Sequence, residues 1–286
     1  MNVGFSYSDD GSRVDRSDIA GEDVYAFFQL FFARFPEYAS APFHIASESY
    51  GGTYAPHAAS IFHKKNRELD VSPIPRLTRI NLASVILANG LTDPLEQLAT
   101  VREYACHGPY RVLDPDGKEC SSMKSGTAIC EGLIRACYRL PTRAGCLATA
   151  YYCYSQLYTP MESESVLHST LPLFTISLPE TGLNLYDVRK RCSVPEYGPE
   201  CFPEIGWLES WMNGEDVKRS LGVDPTLTFE ACKADVSKEF ALQADAMQDS
   251  AQLLTDLVNE GVRLLVYAGN AGQPYRTTLE NAALEL

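Results

Sequence analysis

The residues with the clearest potential for chemistry lie in the stretch S-E-S-Y-G, residues 47–51. Ser49 stands between an acid and an aromatic residue and is followed two positions later by a glycine. This pattern is close to the nucleophile elbow G-x-S-x-G, a sharp turn between a strand and a helix that exposes a reactive serine. Because Ser47 replaces the first glycine, an ordinary strand-to-helix turn with polar capping residues stays an alternative.

The flanking residues predict the elements that such a turn requires. A short apolar run at residues 43–46 predicts a strand before Ser49, and residues 53–66 predict a helix after it. Two nearly continuous apolar runs, residues 80–90 and 262–269, predict buried strands. Strand, helix and strand recur in this order, which is typical of a parallel α/β sheet.

Two further segments have the apolar periodicity of amphipathic helices, whose apolar face is expected to turn towards the core. In residues 18–35 this face comprises Val24, Phe27, Phe28, Phe31 and Phe35. In residues 246–261 it comprises Met247, Ala251, Leu254 and Val258.

Composition and charge argue against several classes of function. The 286 residues carry a net charge of −13 and have a sequence pI near 4.8, so the positive surface that nucleic-acid binding requires is missing. The sequence has no apolar run of about 18 residues, which predicts no membrane-spanning helix. Its N-terminus lacks the basic and apolar segments of a signal peptide. Neither nucleic acid nor a membrane is expected as a partner.

The cysteines predict disulfides rather than a metal site. Eight of the nine cysteines lie between residues 106 and 201, and the chain contains no C-x-x-C pair. Structural zinc sites draw their ligands from closely spaced pairs, so no metal is expected, and no motif indicates another cofactor. A disulfide framework implies an oxidising compartment, which conflicts with the lack of a signal peptide and suggests that the natural N-terminus is missing. Eight cysteines allow on the order of 100 connectivities, so the residues alone do not select one.

Four segments resemble the serine carboxypeptidase family and occur in the family's order. They are NVGFSYSDD (residues 2–10), ESYGGTYAP (residues 48–56), NGLTDPLEQ (residues 89–97) and RLLVYAGNA (residues 263–271). The resemblance spans nearly the whole chain and implies an α/β-hydrolase fold, incomplete here, with a mostly parallel sheet.

A change of composition indicates an inserted unit within that fold. Residues 98–205 are rich in Pro, Cys and Tyr and have poor periodicity, so they are expected to form a disulfide-rich cap subdomain. Residues 1–97 and 206–286 are then expected to be the first and second parts of the α/β-hydrolase core, with the second part truncated.

The resemblance also implies roles for three consecutive residues. Ser49 would attack the C-terminal peptide carbonyl, and the backbone N–H of Tyr50 would donate to the oxyanion. Glu48 would help to bind the terminal carboxylate of the substrate. Two carboxyl groups share a hydrogen bond only when one of them is protonated, which implies an acidic working pH. An alternative for Glu48 is a solvated acid at a helix N-terminus.

The same resemblance implies a disulfide pattern. It would pair Cys106 with Cys120, Cys130 with Cys153, Cys137 with Cys146, and Cys192 with Cys201. Cys232 is left unpaired by this pattern, because the family's partner for it lies in an upstream G-G-P-G-C segment that this sequence does not contain. A buried thiol is the alternative for Cys232.

Two members of the expected catalytic triad have no match. The family has its catalytic histidine after the final strand, whereas the five histidines here all precede it: His44, His57, His63, His107 and His168. The family also reads Y-A-G-[N/D]-x-D at the end of that strand, and Gly272 stands at the position of the aspartate. The sequence is therefore expected to be truncated at both ends and inactive alone.

The function implied by the resemblance is that of a serine-type carboxypeptidase acting on peptide or protein C-termini in a vacuole, a lysosome-like compartment or the secretory route. The main alternative is a pseudoenzyme that binds peptide C-termini without cleaving them. Acyl transfer is less favoured because it needs the same triad. A disulfide-rich interaction module would explain residues 106–201 but not the turn at Ser49.

Overall fold

The sheet of this protein is parallel, as the sequence predicts. The computed structural model describes residues 3–110, 112–161, 182–184, 186–192 and 201–272. Within them, strands β1 (Phe43–Glu48), β2 (Leu82–Ala88) and β3 (Arg263–Tyr267) form a sheet in the order β1-β2-β3. Both pairs of neighbours are parallel, with Ile86 of β2 opposite Ala46 on one side and Leu265 on the other.

Helices connect and cover these strands. The described helices are α1 (Ser17–Arg34), α2 (Gly51–Val71), α3 (Pro94–Ala99), α4 (Val101–His107), α5 (Lys118–Arg139), α6 (Arg143–Leu157), α7 (Pro203–Met212), α8 (Glu215–Leu221), α9 (Ala234–Leu242) and α10 (Gln252–Asn259). Short 3-10 turns lie at Pro36–Tyr38, Thr159–Met161 and Asp245–Met247. The strand–helix–strand order around Ser49 is thereby confirmed.

The core around the sheet is built from small and branched side chains. Ala55 and Ala59 of α2 pack against Val85 and Leu87 of β2, and Leu254 and Leu257 of α10 complete this cluster. A second cluster joins α1 to α2 and β1 through aromatic rings, with Phe62 fully buried. The central strand β2 therefore has helical cover, which explains its continuous apolar sequence.

The prediction that residues 262–269 form a buried strand is wrong in one respect. β3 lies at the edge of the described sheet and alternates along its length, with Leu265 and Tyr267 more than half exposed. Leu264 and Val266 point the other way, into the cluster that α2 and α10 share with the sheet. A strand with one open face needs only alternate apolar residues, so apolarity alone overestimated its burial.

The predicted core face of the first helix is also wrong. Val24, Phe27 and Phe35 are exposed, whereas Tyr25 and Phe32 are buried, with Gly21 on the same side. The reason is close helix packing, since a Cβ on Gly21 would lie 3.3 Å from the backbone of Ala58 in α2. The small residue, rather than the largest apolar stripe, determines which side of α1 meets α2. Phe28 and Phe31 keep partial burial against the aromatic cluster.

Residues 246–261 do not form one helix. Met247 ends a 3-10 turn, the chain is then extended at Gln248, and α10 begins only at Gln252. Met247, Ala251 and Leu254 are buried as expected, but Val258 is exposed and Leu257 takes the core position. The break shifts the helical phase, because residues before and after it do not share one axis.

The disulfide-bearing helices lie in a second core, which they share with α3, α4 and the 3-10 turn at Asp245–Met247. Cys130, Cys137, Cys146 and Cys153 are buried between α5 and α6, together with Met123 and other apolar side chains. Much of residues 162–205 lies outside the described part, and the division of the chain at residues 98 and 205 stays a prediction. None of the described helices has the length and apolar character needed to cross a membrane.

Candidate active site

Ser49 occupies the tip of a tight turn, called here the elbow (residues 47–52). β1 ends at Glu48, α2 begins at Gly51, and Ser49 between them has a left-handed backbone with φ of 59°. A non-glycine residue in this region is strained by about 1 kcal/mol or more. Two hydrogen bonds to the end of β2 hold it: the Ser49 N–H donates to Ala88 O at 3.2 Å, and Ser49 O accepts from Leu91 N at 2.9 Å.

Two glycines let the elbow approach the end of β2. A Cβ on Gly52 would lie 2.5 Å from Leu91 N and 2.6 Å from Gly90 Cα, and a Cβ on Gly90 would lie 2.8 Å from Gly52 Cα. Real Cβ atoms do not approach a backbone so closely, so both positions require glycine. The second glycine of the S-E-S-Y-G-G stretch is thereby explained by a backbone contact that the sequence does not reveal.

A pocket of about 570 Å³ opens above the elbow. The residues that line it come from the ends of the three strands and from three stretches between β2 and β3: Glu48, Ser49, Asn89, Tyr186, Asp187, Arg189, Phe202, Ile205, Cys232, Gly269, Asn270, Ala271 and Gly272. In open α/β sheets, ligands bind at the carboxyl ends of the strands. The pocket lies at that edge and contains both Glu48 and Ser49.

Two of the lining residues, Asp187 and Arg189, form an ion pair. Arg189 donates to both oxygens of Asp187, from Nε at 2.7 Å and from Nη2 at 3.0 Å. These hydrogen bonds hold the pKa of the Asp187 carboxyl below its ordinary value. Tyr186 and Phe202 pack beside the pair with ring centroids 5.0 Å apart. The pocket therefore combines an aromatic wall with charged groups of both signs.

The side chain of Tyr50 does not line the pocket, although its backbone adjoins Ser49. Its hydroxyl donates to Asp245 Oδ2 at 2.8 Å. Burial raises the pKa of the Tyr50 phenol well above its ordinary value, and the charge of Asp245 raises it further. The sequence reasoning singled out Tyr50 for its backbone N–H and missed Asp245 altogether. An isolated acid in the apolar context L-Q-A-D-A-M was the one available signal.

The described histidines lie elsewhere. His44 lies on β1, with its Nδ1 2.7 Å from Ser84 Oγ of β2. His57 is buried within α2. His63 belongs to the same helix and His107 to the end of α4. No histidine of the described residues lines the pocket, and His168 lies outside the described part of the chain. Gly272, at the position where the resemblance implies an aspartate, is one of the lining residues.

Four disulfides are present, and they are the pairs that the family resemblance implies. They join Cys106 to Cys120, Cys130 to Cys153, Cys137 to Cys146, and Cys192 to Cys201. Cys232 lies outside these pairs and is exposed on the pocket wall. Among the residues that the structure describes, no group of three His, Cys, Asp or Glu side chains is arranged to hold a metal ion.

Comparison with known proteins gives consistent matches. The sequence model of the serine carboxypeptidase family matches residues 1–283. "Carboxypeptidase Y homolog A" of Sordaria macrospora is 37% identical over 273 residues, covering 95% of this chain and 43% of that protein. The protein of the same name from Trichophyton verrucosum is also 37% identical, over 95% of this chain and 44% of its own length. The chain thus spans less than half the length of these relatives.

A solved structure supports the fold independently of close sequence similarity. Kex1(delta)p, described as a prohormone-processing carboxypeptidase from Saccharomyces cerevisiae, superposes with a TM-score of 0.74 at 19% identity. The match covers 99% of this chain and 56% of that protein. The chain therefore has the α/β-hydrolase fold that the resemblance implies.

Proposed function

The chain belongs to the serine carboxypeptidase family, and from this premise we propose that its reaction is the hydrolysis of C-terminal peptide bonds through an acyl-enzyme on Ser49. The observation that carries the proposal is the position of Ser49, which combines a left-handed backbone, a strand-to-helix turn and a place on the pocket wall. A buried or extended serine would not meet these three conditions together.

The proposed reaction has two steps. Ser49 Oγ attacks the carbonyl carbon of the last peptide bond, the C–N bond breaks, and the C-terminal amino acid leaves with a proton on its nitrogen. Water then attacks the ester on Ser49 and releases the shortened peptide. The backbone N–H of Tyr50 is proposed as a donor to the oxyanion in both steps. Glu48, exposed on the same wall, is proposed to bind the terminal carboxylate.

Both steps need a group that accepts and returns the proton of the attacking oxygen. Because the chain spans less than half the length of its curated relatives, the reaction is proposed for the family's site. The buried disulfides favour an oxidising compartment, and we propose that this compartment is vacuolar or secretory.

Peptide binding without cleavage is the second candidate function. It is favoured by the described pocket lining, which contains Glu48 but no histidine, and by Gly272 at the acid position. A chain of this kind would retain carboxylate recognition and lose turnover. Glu48 would then matter for affinity, while Ser49 would matter little.

A labelling and binding experiment separates the two candidates. The 286-residue chain and its Ser49→Ala variant are treated with a fluorophosphonate, and hydrolysis of a peptide with a free C-terminus is compared with that of the C-terminally amidated peptide. Labelling at Ser49 with release of the last residue from the free peptide alone supports the peptidase. Binding of the free peptide that survives Ser49→Ala, without labelling or release, supports the binder. Neither labelling nor binding would overturn both.

A further inference from the structure

Asp245 is a fully buried carboxylate that accepts four hydrogen bonds. Its Oδ1 accepts from the backbone N–H of Ser17 at 2.9 Å and from Gln248 Nε2 at 2.7 Å. Its Oδ2 accepts from Ser17 Oγ at 2.6 Å and from the Tyr50 hydroxyl at 2.8 Å. All four donors are neutral. A buried carboxylate is tolerated only when its oxygens are satisfied in this way.

These bonds bring distant parts of the chain together. Ser17 is the first residue of α1, where backbone N–H groups have no partner within the helix. Tyr50 directly follows Ser49 in the elbow, and Asp245 opens a 3-10 turn near the end of the described chain. One carboxylate therefore connects the start of the first long helix to the residue beside the proposed nucleophile.

The ring of Tyr50 is fixed as well as its hydroxyl. It meets the Phe240 ring edge-on, with centroids 6.1 Å apart and planes at 88°, and it packs on Tyr54 with centroids 5.0 Å apart. Burial raises the pKa of the phenol, so the hydroxyl stays protonated and keeps donating to Asp245. With its far end held, the Tyr50 side chain restricts rotation of the peptide unit between Ser49 and Tyr50.

We infer that Asp245 is a positioning residue for Ser49, acting through the hydroxyl of Tyr50 to fix the backbone of the elbow. The inference rests on the proposed function for the role of Ser49, but the geometry of the elbow is its direct subject. Strained backbone conformations persist only where the surroundings determine them. The contact with Asp245 holds the elbow from the helix side, while the hydrogen bonds with Ala88 and Leu91 hold it from the strand side.

A purely structural role of Asp245 predicts a different result. If Asp245 only caps α1, then loss of the Ser17 hydroxyl and loss of the Tyr50 hydroxyl should have the same consequence, namely lower stability with an unaltered elbow. If Asp245 positions the elbow, only the Tyr50 change should affect Ser49. The two variants Tyr50→Phe and Ser17→Ala therefore form a matched pair, since each removes one hydroxyl donor from the same oxygen.

The test uses the 286-residue chain and four variants: Tyr50→Phe, Asp245→Asn, Ser17→Ala and Tyr54→Phe. Tyr54→Phe is a control, because it removes a phenol hydroxyl one turn further along the chain, in α2. Amide hydrogen exchange is measured for residues 47–52 and for β2. In parallel, phosphonylation of Ser49 is resolved into the affinity of the reversible complex and the rate constant of the step in which Ser49 Oγ bonds to phosphorus and fluoride leaves.

For Tyr50→Phe and Asp245→Asn, exchange at residues 47–52 should rise about tenfold relative to β2. The rate constant of phosphonylation should fall about 10- to 100-fold, with the affinity unchanged, because a misplaced reacting group slows the chemical step. Ser17→Ala and Tyr54→Phe should leave both quantities within about twofold of the parent.

Three results would overturn the inference: unchanged exchange at residues 47–52 in Tyr50→Phe, the same rise in Ser17→Ala, or altered exchange with an unchanged phosphonylation rate constant. If Asp245→Asn fails to fold, Tyr50→Phe alone decides. If the parent chain is not phosphonylated at Ser49, that failure concerns the catalytic proposal. The exchange comparison would still decide whether Asp245 fixes the elbow.

Discussion

The disulfide-linked helices α5 and α6 and the elbow are held by contacts of opposite range along the chain. The disulfides that join the two helices span 23 and 9 residues. By contrast, Tyr50 of the elbow depends on Asp245, 195 residues away, and Asn89 at the end of β2 donates to Tyr267 O. The covalent links of the helices thus join near neighbours, although Ala244 and Met247 also pack in their core. The geometry at Ser49 depends on a contact across 195 residues.

The two regions also differ in how closely their backbones pack. At the elbow, a Cβ on Gly52 would lie 2.6 Å from Gly90 Cα, whereas a Cβ on Gly132 in α5 would have no atom within 4 Å. Close approach of backbones is what allows a strained residue to be held. The helical region has covalent links instead and leaves its surface glycine without a packing requirement.

The largest effect is expected when the same substitution is made in both regions. Gly52→Ala should cost about 3 kcal/mol or more of the free energy of unfolding, because its Cβ would meet backbone atoms that have no room to move. Gly132→Ala should instead stabilise by about 0.5–1 kcal/mol, since alanine favours the helix. Urea unfolding of both variants measures the difference, and equal effects would break the comparison.

The second prediction removes a covalent link. Replacing Cys130 and Cys153 together by alanine should lower the free energy of unfolding by about 3 kcal/mol, the value expected for a loop of this length. Amide exchange should rise first in α5 and α6, and only at the global unfolding limit in residues 47–52. The control replaces Cys137 and Cys146, which close a shorter loop, and should lower the free energy of unfolding slightly less. A simultaneous rise at the elbow would show that the regions are not separable.

A hydrogen bond ties α5 to the start of α3, and its removal should have an intermediate effect. The Tyr138 hydroxyl of α5 donates to Asp93 Oδ1 at 2.8 Å, at the start of α3. Burial, followed by the charge of Asp93, raises the pKa of this phenol, so it remains a donor. Tyr138→Phe should cost about 1.5–3 kcal/mol, as for hydrogen bonds to charged groups. Tyr151 lies on α6 with an exposed side chain. Tyr151→Phe should therefore cost less than about 0.5 kcal/mol, and a similar loss in both variants would argue against the link.

The smallest effect concerns pH. Burial lowers the pKa of His57 in α2, although the charges of Asp245 and Asp18 act in the opposite direction. As pH falls through about 6.5, the unfolded chain takes up the proton first, so the contribution of neutral His57 is complete above that pH and is lost below it. His57→Gln should flatten the dependence of the unfolding free energy between pH 7 and 5 by at most about 1.4 kcal/mol per pH unit. Above pH 8 the slopes of variant and parent should coincide, and an unchanged slope below pH 6.5 would contradict the assignment.

The sequence was sufficient for the sheet and for the position of Ser49, because both depend on local patterns. The apolar runs predicted β1 and β2 and the order of strand and helix, and the S-E-S-Y-G-G letters located the turn. Burial of individual residues was harder. Gly21 selects the packed side of α1 through its lack of a side chain, which a search for apolar periodicity passes over.

The supports of the candidate site were not predictable from local patterns. Asp245 acts on Tyr50 and Ser17 across 195 and 228 residues, and no spacing rule connects positions so far apart. Gln97 is fully buried and accepts from Thr92 N at 2.8 Å. In the sequence it is only the last residue of the segment NGLTDPLEQ. Such residues are found from the folded structure, where a buried polar side chain calls for partners.

The contacts at Asp245 also bear on the order in which the molecule is made. The segment before α1 contacts the end of α9. Arg13 and Glu239 form an ion pair of 3.0 Å, and Gln243 donates a hydrogen bond to Asp15. Two residues after Asp15, Ser17 donates to Asp245. A ribosome completes α6 at Leu157, 88 residues before Asp245, and at about 5–20 residues per second the interval is about 4–18 seconds. During that time the helical region can close its disulfides while the start of α1 has no cap and Ser49 has no fixed geometry. Synthesis itself therefore delays completion of the elbow until the chain is nearly finished.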